Sequence, residues 1–380
     1  MPMRIAASKA SALVPLDRVG PLEVRSDGVV AVQLLSSLLE PLASGVSRQE
    51  PVEGDDMKAI VQRRYGVPSD VLRLADVGLP EVGAEDVLVR VRASSANPWD
   101  WHFIRGEPLL FRPAGIGGVR RPKFLIPGGD LAGTVERVGS GVTTFEPGAD
   151  VYGFGHGAFA EYVAVPQTRL APLPAGLSFE QAAAVPLAAV TALQGLRAGE
   201  IAPGQRVLVV GASGGVGTFA VQIAKYLGAQ VTGVCSTPHV DLVRGLGADQ
   251  VIDYTREDFT AGSGGYDLVF QLGGTYSPGA VRRVLTPHGT LIQSSGDGGR
   301  WIGPMGNMIK AAVLNRFIGQ TLKAVTATVT AEALHEIKDL IESGHIVPVI
   351  GRTFPLAEAA AAVDLVEKGS PPGKVVVLID

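Results

Sequence analysis

The chain has 380 residues, of which 46% are apolar and 18% charged, with a formal net charge of −4. That length predicts two domains, the composition excludes a disordered chain, and the charge offers no electrostatic footprint for nucleic acid. The single cysteine, Cys235, excludes an intrachain disulfide framework and fits a reducing compartment, so a cytoplasmic location is expected.

Residues 1–56 read unlike the rest, with scattered prolines, one apolar patch (VVAVQLL, 29–35) and the acidic VEGDD before Met57. The favoured expectation is sequence upstream of a natural start at Met57, with a disordered extension as the alternative. A targeting peptide is the weakest reading, because Asp17, Glu23 and Asp27 interrupt any basic amphipathic pattern. From Met57 to about residue 170, short strands and turns follow one another: MKAIVQRRYG, DVLVRVRASSAN, PGGDLAGTVERVG, EPGADVYGFG, AFAEYVAVP. They predict an all-β, partly barrel-like unit. Ser178 then reads as the N-cap of a helical stretch, FEQAAAVPLAAVTALQGL.

The run RVLVVGASGGVG, residues 206–217, carries the strongest signal. An apolar strand leads into Gly211, Gly214 and Gly217, and the helical TFAVQIAKYLGA follows at once. Strand, glycine turn and helix bring backbone N–H groups and a helix N-terminus to a pyrophosphate, so a dinucleotide is the expected ligand. Strands and helices alternate from there: QVTGVCS, a helix near 239–246, DQVIDY, DLVFQLGG, a helix near 278–285 and GTLIQSS. That order predicts an α/β, doubly wound domain with a parallel sheet. The segment 305–320, MGNMIKAAVLNRFIGQ, is interrupted by Lys310 and Arg316 and predicts a packed helix or lid; no apolar run reaches the length of a membrane span. A helix near 330–343, the strand VPVIGRTF, a short helix near 356–368 and the strand KVVVLID close the chain.

Several phrases (SSANPWDWHFIRGEP, PGGDLAGTVERVGSGV, GAFAEYV, VLVVGASGGVGTFAVQIAKYLGA, LGADQVIDY, GKVVVLID) make the chain resemble the medium-chain dehydrogenase/reductase superfamily, in its zinc-free quinone oxidoreductase branch. The resemblance covers Met57 to Asp380. It implies a GroES-like catalytic domain over 57–183, a Rossmann domain over 184–345, a C-terminal return to the catalytic domain over 346–380, and a homodimer through the Rossmann sheet edge.

No metal is expected. Zinc-dependent relatives use a cysteine where this chain has Asn97 and a Gly-His-Glu turn where it reads Gly128-Gly129-Asp130, and a catalytic zinc needs about three protein ligands. Without zinc to polarise a carbonyl, the acceptor must itself be electrophilic: a quinone, an α,β-unsaturated ketone or an enoyl thioester.

For the cofactor, Gly211, Ser213, Gly214, Gly215, Val216 and Gly217 form the expected pyrophosphate turn. Ser236 and Thr237, at the end of the second strand of this domain, carry no negative charge to repel a 2′-phosphate, which favours NADPH. Arg244 is the candidate basic partner, or a solvated helix arginine. Tyr254 resembles the family tyrosine along the adenosine, or is a half-buried strand residue. Leu272 and Gly273 are expected to bring backbone close to the nicotinamide, with Gln271 where relatives often carry Asp. Thr191 resembles a residue that approaches the nicotinamide, or bonds its own i−4 carbonyl. Lys374, in GKVVVLID, completes the expected cofactor set.

On the substrate side, Asn97 and Asp100 match the family's Asn-Pro-x-Asp phrase. The Asn97 amide is expected to hold the nicotinamide ribose or donate to the acceptor oxygen, or else to be a turn asparagine before Pro98. Asp100 is expected to orient its neighbours. His102 is the best proton-donor candidate, and Trp99, Trp101 and Phe103 form either an aromatic wall or core. The sequence therefore predicts an NADPH-dependent reductase of a small conjugated carbonyl or quinone; an enoyl-thioester reductase and a non-catalytic NADPH sensor are the alternatives.

Overall fold

The computed structural model describes residues 56–109, 112, 118–262, 264–294, 314–315, 318–369 and 371–379. The N-terminal segment 1–56, apart from Asp56, and the helix or lid expected over 305–320, apart from residues 314, 315 and 318–320, lie outside the described residues.

Alternating apolar residues build the first unit from β1 (Asp56–Gln62), β2 (Leu72–Gly78), β3 (Asp86–Ala96), β4 (Asp130–Val138), β5 (Asp150–Phe154), β6 (Tyr162–Pro166) and β7 (Leu170–Pro172). The first two strands pair antiparallel as a separate ribbon. β3 is central, antiparallel to both β4 and β6. Its inward residues Val87, Val89 and Val91 join Leu131, Val135, Val151 and Phe159 in one core. Gly133 allows β4 its close register, since a Cβ there would stand 2.1 Å from the Arg90 carbonyl oxygen. Helix α1 (Pro98–Arg105) leaves β3 directly, and its first-turn proline lacks only an N–H that a helix start does not need.

The helical stretch after Ser178 folds as two helices. Ser178 Oγ does accept from the Gln181 N–H at 3.2 Å, as an N-cap should. The helix it caps ends at Ala183, and α2 (Pro186–Ala198) restarts beyond Val185, because Pro186 has no N–H to carry the helix through. The alanines of α2 let it lie tightly between the two halves. Ala188, Ala189, Ala192 and Leu196 share a core with Ala93, Ala132 and Tyr152 on one side and Val207, Val209 and Phe270 on the other.

The second sheet runs through β8 (Arg206–Val210), α3 (Gly215–Tyr226), β9 (Gln230–Cys235), α4 (Val240–Gly245), β10 (Gln250–Asp253), β11 (Tyr266–Gln271), β12 (Leu285–Gln293) and β13 (Thr321–Ala324). All its neighbouring strands are parallel, in the order β10-β9-β8-β11-β12-β13. Strands covered on both faces read as continuous apolar runs, as RVLVV does. The order reverses between β8 and β11, which opens a crevice beyond the carboxyl ends of the strands.

Helix α5 (Ala331–Glu342) ties the halves together, since the buried Tyr152 hydroxyl donates to the Leu334 carbonyl at 2.6 Å. The chain then returns through β14 (Ile350–Pro355), α6 (Ala359–Glu367) and β15 (Lys374–Leu378). β15 pairs with β3, so the first sheet reads β14-β15-β3-β4-β5-β7. Among the described residues, no helix is long and apolar enough to cross a membrane.

Candidate active site

The glycine turn sits at the crevice. Gly211 adopts φ +87°, and a Cβ on it would lie 3.1 Å from the Gly273 N, so the backbones after β8 and β11 nearly touch. Leu272 anchors this approach by donating its N–H to the Val210 carbonyl at 2.9 Å. At Gly217 a Cβ would stand 2.1 Å from the Gly211 oxygen, so only glycine lets α3 start this close to the strand. Gly214 is the N-cap of α3 and no side chain caps the helix there, which leaves the first-turn amides at Gly215 and Val216 to meet an anion. A dinucleotide pyrophosphate fits this cradle.

The turn is joined directly to the other domain. The Gly373 N–H donates to the Ser213 carbonyl at 2.8 Å, and Gly214 forms a parallel bridge with Gly373. The next residue, Lys374, lays its stem against Gly215, where a Cβ would meet the Lys374 Cδ at 2.9 Å. Its ammonium is 2.5 Å from Asn97 Oδ1 and 3.1 Å from Asp130 Oδ2. Lys374, expected in the cofactor set, thus meets the turn through its stem, and its ammonium enters a buried network.

Asp130 is the centre of that network and was not singled out from the sequence. It is fully buried at the start of β4. Its Oδ2 accepts from Ser95 Oγ at 2.7 Å, Asn97 Nδ2 at 2.9 Å and Lys374, while Oδ1 accepts from the Leu187 N–H at 2.9 Å. Leu187 is in the first turn of α2, so the carboxylate also faces the positive end of that helix. A turn aspartate in PGGDLAG gives no sign in a single sequence that four donors from other parts of the chain converge on it.

Asn97, expected to meet the ribose or the acceptor oxygen, joins the same network. Its Nδ2 donates to Asp130 and to the Ser95 carbonyl (3.3 Å), and its Oδ1 accepts from Lys374. Both amide hydrogens are thus engaged inside the protein, and Asn97 anchors the network. Position 129, which would carry the zinc-binding histidine, packs against an aromatic ring: a Cβ there would lie 2.3 Å from Phe154 Cε2. Among the described residues, no three His, Cys, Asp or Glu side chains converge as a metal site would need.

Asp100 connects this network to a pocket. Its Oδ2 accepts from the Asn97 backbone N–H at 2.7 Å. Burial pushes its carboxyl up to about 7; the Asn97 N–H opposes this, the Asp130 charge adds to it, and the Lys374 charge and the Gly128 N–H pull it back. The folded protein thus holds the Asp100 proton more tightly than the unfolded chain does. The stability this confers is complete below pH 4 and is lost as pH rises to about 7. Asp100→Asn, which does not titrate, is therefore expected to gain on the wild type across that window, by on the order of 4 kcal/mol at about 1.4 kcal/mol per pH unit. Urea midpoints of both proteins from pH 4 to 8 check this, and parallel curves would contradict it.

Asp100 and His102 line the pocket together with Trp99, Phe103, Phe124 and His156. Trp99 and Phe103 have ring centroids 4.3 Å apart, and His156 stacks on Phe124 at 4.2 Å. Burial, followed by the charges of Arg169 and Lys123, lowers the His156 imidazole to about 4, so it is a neutral part of the wall at pH 7. His102 stacks on Trp101 at 3.5 Å, and its Nδ1 lies 3.2 Å from the Glu107 carbonyl oxygen. Trp101 packs toward the β-domain core, so Trp99 and Phe103 supply the α1 side of the aromatic wall.

The remaining cofactor candidates divide. Thr191 donates to the Leu187 carbonyl at 2.6 Å, the i−4 bond. Gln271 turns inward, donating to the Tyr276 carbonyl at 3.1 Å. Ser236 is half-buried at the end of β9 and Tyr254 is exposed beyond β10. Thr237, expected to donate toward a 2′-phosphate, gives its hydroxyl to Asp253 Oδ2 at 2.6 Å. Arg244 pairs with Asp241 one turn away at 2.9 Å on an exposed helix face, which is the solvated-arginine alternative.

Comparison with known proteins agrees with this architecture. Residues 83–175 match the alcohol dehydrogenase GroES-like domain, and residues 246–377 match the zinc-binding dehydrogenase family. The chain is 33% identical to the NADPH-dependent alkenal/one oxidoreductase of Arabidopsis thaliana, over 85% of this chain and 79% of that one. It is 30% identical to a quinone-oxidoreductase of Triphysaria versicolor, over 85% and 99%. Among solved structures, the quinone oxidoreductase of Coxiella burnetii superposes with a TM-score of 0.75 at 29% identity, over 86% of this chain and all of that one. A mycobacterial protein complexed with NADPH gives 0.73 at 29%, over 85% and 100%. With a GroES-like unit, a doubly wound Rossmann-like unit and relatives along most of its length, the chain belongs to the medium-chain dehydrogenase/reductase superfamily.

Proposed function

We propose that this protein is an NADPH-dependent reductase that passes hydride to the conjugated system of an enone or quinone, without a metal. The observation that carries the reading is the unbroken connection from Gly215 through Lys374, Asn97 and Asp100 to a pocket walled by Trp99, Phe103 and Phe124. A pyrophosphate-binding turn and an aromatic slot for a flat acceptor are thus held in one rigid frame. The names of the Arabidopsis and Triphysaria relatives favour the same substrate class.

The reduced nicotinamide, when bound, supplies the hydride. Gly211, Gly214 and Gly217 shape the cradle, the first-turn amides of α3 hold the pyrophosphate, and the Gly211–Gly273 approach sets the floor of the crevice. The aromatic wall orients the acceptor and excludes water. His102, on the pocket wall, is the group best placed to steer a proton to the reduced oxygen.

The test mixes the full-length protein with NADPH or NADH and follows loss of reduced nicotinamide absorbance with quinones, enones and an enoyl-CoA. Turnover with quinones or enones is expected. Tight binding without turnover on any acceptor would identify a sensor, and turnover confined to enoyl-CoA would identify the thioester reductase. A homodimer through an edge of the parallel sheet, whose edge strands among the described residues are β10 and β13, belongs to the same proposal and is checked by light scattering. So does a cytoplasmic location, which the single, buried Cys235 favours.

A further inference from the structure

The choice of NADPH raises a question that Arg244 and Thr237 leave open. A 2′-phosphate is best met by a cation near the end of β9; Thr237 gives its hydroxyl to Asp253, and Arg244 lies a turn into α4, paired with Asp241 on an exposed face. The neighbouring strand supplies one. Asp253, the last residue of β10, is the register partner of Cys235, the last residue of β9, and the Tyr254 N–H continues the pairing to the Cys235 carbonyl at 3.1 Å. The chain then curls back, with the Arg256 N–H donating to the Asp253 carbonyl at 3.0 Å.

Asp253 is nearly buried and its carboxylate is surrounded by donors. Oδ1 accepts from the Thr255 N–H (3.0 Å) and hydroxyl (2.7 Å). Oδ2 accepts from the Thr237 hydroxyl at 2.6 Å and lies 3.4 Å from Arg256 Nε. Thr237 and Arg256 share one oxygen, which draws the guanidinium to the side of the Thr237 hydroxyl. The Arg256 side chain is 75% exposed, so the fork beyond Nε faces outward. This is the place, next to the end of the second strand of the dinucleotide fold, where an arginine accommodates a 2′-phosphate and a carboxylate with free oxygens reads a 2′-hydroxyl. Here the carboxylate's oxygens are taken up by threonines and by the arginine itself.

The geometry points to Arg256 as the ligand of the cofactor 2′-phosphate, with Asp253 as the positioning carboxylate that aims it. The inference rests on the NADPH reading above. A guanidinium meets a phosphate with two parallel N–H bonds, which a lysine or a lone hydroxyl cannot do. Ser236 adjoins the same edge, and the exposed Tyr254 ring offers a flat face beside it.

The test measures Kd for NADPH and for NADH, by nicotinamide fluorescence, on the full-length wild type, Arg256→Gln and Asp253→Asn. For Arg256→Gln, NADPH affinity is expected to fall about tenfold or more while NADH affinity changes less than about twofold. Added salt is expected to weaken NADPH binding by the wild type more than by the variant. In Asp253→Asn the NADPH preference falls while NADH binding persists, which a general loss of fold would not give. An NADPH Kd within about twofold of wild type in Arg256→Gln overturns the assignment of the ligand; an unchanged NADPH:NADH ratio in Asp253→Asn overturns the positioning role. A wild type that binds NADH as tightly as NADPH would instead overturn the cofactor reading itself, whatever the variants do.

Discussion

Replacing Asp130 with alanine is expected to lower stability by about 3–5 kcal/mol, because it leaves the buried Lys374 ammonium without its counter-charge. The loss has further parts. The Leu187 N–H at the start of α2, the Ser95 hydroxyl and one Asn97 amide hydrogen all lose their acceptor. Catalysis should fall with it, by on the order of 100-fold in kcat/KM, since Lys374 and Asn97 fix how the glycine turn faces the pocket. Asp130→Asn keeps an acceptor but not the charge and is expected to fall between. The double variant Asp130→Ala/Lys374→Met, with neither charge to bury, should recover part of the stability lost by the single variant. Equilibrium unfolding with steady-state kinetics on the wild type, these three variants and Lys374→Met checks this, and independent, additive losses would contradict the coupling.

The glycine turn gives the second large effect, and it separates two kinds of glycine. At Gly217 a methyl would sit 2.1 Å from the Gly211 oxygen and 2.8 Å from the Ala212 backbone, so Gly217→Ala must push α3 off the strand. A loss of about 1–3 kcal/mol and a collapse of NADPH affinity are expected together. At Gly214 a Cβ meets nothing nearer than 3.4 Å, and the backbone there is extended at φ −77°. Gly214→Ala should therefore melt like the wild type while losing cofactor affinity, because its methyl occupies the space over the helix start where a pyrophosphate approaches. Calorimetric Tm and NADPH titration of the two variants make the comparison, and equal Tm values would show that the close packing at 217 is tolerated.

Much of this is legible in the amino-acid sequence. The strand-glycine-helix phrase at 206–217 specifies local geometry through steric demands that only glycine meets, so periodicity and spacing were enough to read it. The alternation of strands from β8 to β12 was equally clear, because buried parallel strands carry uninterrupted apolar runs. What a single sequence does not show is which distant side chain takes up a given polar atom. Asn97 and Lys374 are 277 positions apart, and neither residue type announces that the other will take up its polar atoms. Thr237 looked available for a phosphate until Asp253, from the next strand, took its hydroxyl. The helical stretch after Ser178 was legible, and its break at Pro186 follows from a plain local rule.

The bridge between Gly214 and Gly373 has a consequence for how such an enzyme can be divided. No contiguous stretch of the chain owns the chemistry: the wall comes from one region, the cradle from a second, and the lysine that clasps them from a third. Transplanting the 206–217 phrase into another scaffold would carry over a grip on a nucleotide but none of the alignment toward a reactant. Exchanging the β-rich half for that of a relative would succeed only if the strand bearing Lys374 travelled with it. The natural unit of recombination here is a pair of distant segments, not a domain.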